Sequence, residues 1–107
     1  MNNNPDNEHA IDIELSEEIA EGQYSNLAII THSQSEFIID FVRILPGIPK
    51  GKVKSRIIMT PQHAKRLLFA LGENMTKFES TFGDVDIEAG GANTGFPLNF
   101  GGMTGQA

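Results

Sequence analysis

A chain of 107 residues with 39% hydrophobic content is enough for one domain and too short for two. It has no cysteine, which excludes a disulfide scaffold, a cysteine-based zinc site and a thiol nucleophile, and fits a reducing compartment. The formal net charge of −6 conceals a division. Residues 1–21 carry seven acids and no base, residues 22–83 hold all eight Lys and Arg against four acids, and residues 84–107 add three acids. A mildly basic middle therefore lies between acidic ends.

The N-terminal MNNNPDNEH has neither a basic region nor an apolar run, so no signal peptide is expected. No apolar run approaches the roughly 18 residues of a membrane span. The expected location is cytoplasmic, with no membrane partner. Residues 1–8 are polar and expected to be disordered. From His9 to Leu15 the sequence alternates, with Ile11, Ile13 and Leu15 on one side and Asp12 and Glu14 on the other, which predicts a short strand. Ser16 to Gln23 is polar and suits a loop or one helical turn.

Tyr24 to His32 (YSNLAIITH) and Glu36 to Leu45 (EFIIDFVRIL) are β-rich runs flanking Ser33-Gln34-Ser35, and so predict a hairpin. The second run is apolar on both parities: Phe37, Ile39 and Phe41 on one, Ile38, Val42 and Ile44 on the other. A sheet of this kind wants cover on both faces, and a single helix supplies only one. Two Pro and two Gly between Pro46 and Gly51 make a loop. Lys52 to Met59 predicts a further strand, with Val53, Ser55, Ile57 and Met59 alternating with Lys52, Lys54 and Arg56.

Thr60 followed by Pro61 is a helix start, because the threonine hydroxyl can cap and the proline φ suits the first helical position. Ala64, Leu67, Leu68, Leu71, Met75, Phe78 and Phe82 then hold one apolar stripe until Gly83 ends the helix. Leu71 is expected at the middle of the buried stripe and Lys77 on the outer face. Phe69 lies off the stripe, and Gly72 costs about 1 kcal/mol in a helix interior. The two together point to a second contact surface, and we assign Phe69 and Gly72 to a dimer contact. Residues 84–107 contain six Gly and no Lys or Arg, which predicts a flexible tail. The single domain is then 9–83, of α+β class: a four-stranded antiparallel sheet followed by one long C-terminal helix lying across it, as a homodimer.

Little in this chain points to catalysis. The glycine clusters of the tail lack the strand, lysine and following helix of a phosphate loop. His9, His32 and His63 form no zinc-binding pattern, and His63 sits in the first helical turn, where a capping or surface role is expected. His32 neighbours Ser33 and Ser35, but adjacency in sequence does not make a triad. No catalytic residue, metal or cofactor is expected. The one constellation with functional content is basic: Arg43, Lys50, Lys52, Lys54 and Arg56, with no acid between Phe41 and Gly72. Lysines and arginine at every second position of an extended chain suit a phosphate backbone. They equally suit a solvated strand face, or lysine protection of an edge strand.

The stretches YSNLAIITHSQSEFIIDFVR and KVKSRIIMTPQHAKRLLFALGENMTKFESTFG resemble the small bacterial domain-of-unknown-function family 3467, over about Glu18 to Gly83. That resemblance implies no activity or site residues. In element order the chain is also similar to the positive cofactor four family of single-stranded-DNA-binding coactivators. There a curved four-stranded sheet is followed by a helix, and the helices pair to form a dimer. Lys50, Lys52, Lys54 and Arg56 fall about where that family has basic residues. The present sequence lacks a tryptophan at the helix start, has few aromatics on the sheet and has acidic ends. The expected function is a non-enzymatic binding or assembly module whose partners are a second copy and an unknown protein, the alternative being a nucleic-acid-binding dimer.

Overall fold

The structure, a computed structural model, describes residues 10–89. In chain order it has a short helix α1 (Glu17–Ala20), strands β1 (Leu27–His32), β2 (Phe37–Arg43) and β3 (Lys52–Met59), a long helix α2 (Pro61–Phe82) and a 3-10 turn at Ile87–Ala89. The chain is α+β, with an antiparallel sheet of order β1-β2-β3 and a long C-terminal helix. The expected tail beyond Ala89 and the expected disorder of residues 1–8 fall outside the described residues.

Local chemistry explains each element. Ser16 caps α1, its Oγ accepting from the Ile19 N–H at 3.3 Å, and Glu17 and Glu18 favour the positive end of the helix. Gly22, at φ 79°, turns the chain out of α1, a backbone region costly for other residues. The β1–β2 hairpin is closed at the turn by the Ser33 N–H donating to the Glu36 carbonyl at 2.9 Å. At its open end Asn26 takes the place of a further strand residue. Its Nδ2 donates to the Ile44 carbonyl and its Oδ1 accepts from the Ile44 N–H, both at 2.9 Å. The strand is therefore shorter than the expected Tyr24–His32, because Ser25 and Asn26 spend their side chains on the backbone of β2 and the residues after it.

Among the described residues the sheet has three strands where four were expected. The alternating segment 10–15 forms no helix, strand or turn. Its side chains stand in solvent, with Ile11 83%, Ile13 93% and Leu15 69% exposed. The expected helix across the sheet is also not what is observed. Thr60 alone separates β3 from α2. The helix then runs 22 residues, about 33 Å at 1.5 Å per residue, meeting the sheet chiefly at β3. None of its residues is buried. The hydrophobic core of the described residues consists of Ile39 and Val42, one from each face of β2.

Candidate interaction surface

Helix α2 is well made as a helix. The Thr60 Oγ1 accepts from the His63 N–H at 3.2 Å, Pro61 opens the first turn, and Gly83, at φ 96°, closes the last with its N–H on the Glu79 carbonyl at 2.8 Å. Asn74, Thr76 and Ser80 return hydrogen bonds to the helix backbone. Residues 84–89 stay near the helix end, the Val85 N–H donating to Glu79 Oε2 at 2.9 Å.

The apolar stripe, by contrast, is not buried by any other element among the described residues. Leu67, Leu68, Leu71, Met75, Phe78 and Phe82 are all exposed, Leu68 to 66% and Phe82 to 73%. Phe78 and Phe82 touch each other, ring centroids 4.9 Å apart, and so form a continuous aromatic end to the stripe. Leu71, expected at the centre of a buried face, is exposed in this chain. Phe69 is exposed as well. A Cβ added at Gly72 would meet nothing within 4 Å, so packing among the described residues supplies no reason for glycine there. In proteins most helical stability comes from burying one face rather than from propensity. Monomeric proteins rarely leave a contiguous apolar patch of this kind open.

The sheet repeats the theme. Cross-strand partners share a face, so Ile30, Ile39 and Ile57 form one row and Thr31, Ile38 and Ile58 the next on the opposite face. Ile39 is buried, whereas Ile30, Ile57 and Ile58 are exposed. Both faces of the sheet thus carry open apolar side chains.

The basic residues do not lie as simple alternation predicts. The register between β2 and β3 shifts at Phe41/Val42: Phe41 faces Ser55 and Val42 faces Val53, so Lys54 is the extra residue of a β-bulge. Beyond the bulge Lys52 faces Arg43, while Arg56 faces Asp40, a neighbour of opposite parity on β2. Lys52 and Arg56 therefore project from opposite faces. Arg56 is also engaged. Its Nε donates to Asp40 Oδ1 at 2.6 Å and its Nη2 to Oδ2 at 2.9 Å, and this carboxylate, by hydrogen bond and then by charge, raises the arginine pKa above its ordinary range. Asp40 has no exposed surface. Sequence reasoning missed this pair because the acid-free stretch starts at Phe41, one residue past the acid that holds Arg56. The available signal was an aspartate inside an apolar strand, which needs a cation when buried. Arg43, Lys50, Lys52 and Lys54 remain near one another at one end of β2 and β3, with Lys50 in the preceding loop. Among the described residues no three His, Asp or Glu side chains group as metal ligands, and no helix is long and apolar enough to cross a membrane.

The described chain is thus a small antiparallel sheet with a long C-terminal helix whose apolar face is open. It belongs to the protein family of unknown function DUF3467, whose model matches residues 1–87. No curated protein and no solved structure matches it.

Proposed function

We propose that this chain is a cytoplasmic, non-enzymatic assembly module that works as a homodimer, with α2 of each copy covered by the other. The carrying observation is a 22-residue helix that buries none of its residues yet holds one apolar stripe from Ala64 to Phe82. Antiparallel pairing of two α2 helices about Gly72 satisfies three features at once. The stripes cover each other. The open space at Gly72 admits the partner backbone. Lys65 and Glu79, on one flank and equally distant in sequence from Gly72, come opposite Glu79 and Lys65 of the second copy. A self-complementary patch of this kind is what a two-fold interface requires. Phe69, off the stripe, stays available for contact with the partner's sheet. The test is Leu68→Glu/Leu71→Glu, measured by light scattering: the reading expects a dimer to become a monomer, and a dimer undisturbed by both charges contradicts it.

A second reading, nucleic-acid binding, is favoured by one observation. Arg43 and Lys52 are direct cross-strand partners of like charge, with Lys50 and Lys54 beside them. Like charges directly opposite are destabilising, and a phosphate backbone would relieve them. Fluorescence anisotropy with a labelled single-stranded oligonucleotide at about 50 mM salt tests this, since phosphate contacts weaken steeply with salt. No binding at that salt by a chain lacking residues 1–21 ends this reading and leaves the assembly module.

A further inference from the structure

Segment 11–15 combines three properties. It alternates apolar and acidic residues, its apolar side chains are exposed, and it is not part of the sheet. Strand β3 offers the complementary surface. It lies at one end of the order β1-β2-β3, so among the described residues its outer edge carries unpaired backbone groups. Its two sides are chemically distinct. Ser55, Ile57 and Met59 face the side of Phe37, Ile39 and Phe41, whereas Arg56 and Ile58 face the side of Asp40 and Ile38, with Lys54 in the adjoining bulge.

From this juxtaposition we infer that segment 11–15 of a second copy adds to the free edge of β3 as a fourth strand. Side chains alternate with a period of two, so one register parity serves both faces. Ile11, Ile13 and Leu15 then fall in line with Ser55, Ile57 and Met59, while one of Asp12 and Glu14 falls beside Arg56, diagonal to Lys54, and the other beside Ile58. The opposite parity would set both carboxylates in the row of Ser55, Ile57 and Met59 with neither beside Arg56, and is rejected. The edge of β1, Leu27–His32, has no lysine or arginine to meet the acids, which directs the segment to β3. An open edge with exposed Val53, Ile57 and Ile58 invites indiscriminate pairing. A lysine beside it repels a basic strand and loses hydration unpaired against a neutral one, whereas an acidic strand compensates it, so the same charges that guard the edge select its occupant. Main-chain hydrogen bonds supply the affinity and the alternating side chains the specificity.

This inference rests on the homodimer reading, and its test separates the two. Because the chain has no cysteine, single introduced cysteines report cleanly. Differently tagged Ile13→Cys and Ile57→Cys chains are mixed under mild oxidation, with Ile13→Cys and Ile30→Cys as the control for the β1 edge. The expected result is a mixed disulfide in the first mixture and none in the control. In parallel, deletion of residues 10–15 should weaken dimerisation about tenfold without abolishing it at high concentration. Asp12→Lys/Glu14→Lys should weaken it similarly, with partial recovery on adding Lys54→Glu. A dimer that neither forms the cross-link between positions 13 and 57 nor responds to the deletion overturns strand addition and leaves the helix dimer in place. A monomer at every concentration overturns both.

Discussion

Asp40 and Arg56 are direct partners across β2 and β3, and they meet as a two-pronged ion pair in which the carboxylate side chain is 1% exposed and the guanidinium side chain 45%. A carboxylate taken wholly out of water needs a fixed cation, and the arginine fork offers two parallel donors from the neighbouring strand. The pair therefore pins the register of β3 at the position where a one-residue slip would reverse every side chain of the strand.

Removing one partner should then cost more than removing both. Arg56→Met leaves a buried carboxylate without its cation. The double variant Asp40→Leu/Arg56→Met should regain most of the lost stability, as read from urea midpoints. Equal losses in the single and double variants would show that the carboxylate does not depend on the arginine. The folded-state pKa of Arg56 is raised, so its share of the stability is complete at every pH below the ordinary arginine range. It is lost only as the pH climbs through the raised value. Titration of Arg56 should accordingly leave stability flat between about pH 6 and 9.

Asn26 carries the open end of the hairpin with two hydrogen bonds to Ile44. Asn26→Ala should destabilise the protein by about 1–3 kcal/mol, the usual range when partly buried backbone groups lose a partner. Thermal unfolding checks this, and a loss no larger than that of an exposed position such as Gln62→Ala would show the clamp to be incidental.

Gly72 distinguishes a helix in water from a helix against a partner. Within one chain a Cβ there meets nothing, so Gly72→Ala should stabilise the helix by about 1 kcal/mol on propensity alone. If a second α2 passes close by, the same methyl group separates the two backbones. The expected outcome is weaker self-association despite greater helicity, with circular dichroism and sedimentation recorded on one sample. Tighter association would place the crossing point elsewhere.

Lys65 and Glu79 test the direction of pairing. Lys65→Glu and Glu79→Lys should each weaken the dimer, and the charge-swapped double variant should restore it, with effects that shrink as salt rises. Parallel helices would keep these residues apart and show no recovery.

Much of the fold was legible in the sequence. Thr60-Pro61 and Gly83 delimit α2 because capping chemistry is local, and Lys52 to Met59 is a strand as expected because alternation and β-rich composition agree. The start of β1 was less legible, since Ser25 and Asn26 commit their side chains to a segment seventeen or eighteen residues away, whereas its end at His32 is as expected. Simple alternation also misplaced the basic side chains, because the bulge at Lys54 reverses parity midway through β3. Periodicity located the stripe of α2 correctly but could not say what covers it. Apolar spacing identifies a face that must be buried and carries no information on whether the cover comes from the same chain.

Whether a second copy covers α2 is decided by sedimentation equilibrium of the full chain over a wide range of micromolar concentrations. The expected species has twice the 11.7 kDa chain mass, dissociates to single chains on dilution and is shifted strongly toward them by Leu68→Glu/Leu71→Glu. A folded, cooperatively melting species of single-chain mass at every concentration, with that double variant equally stable, would contradict it.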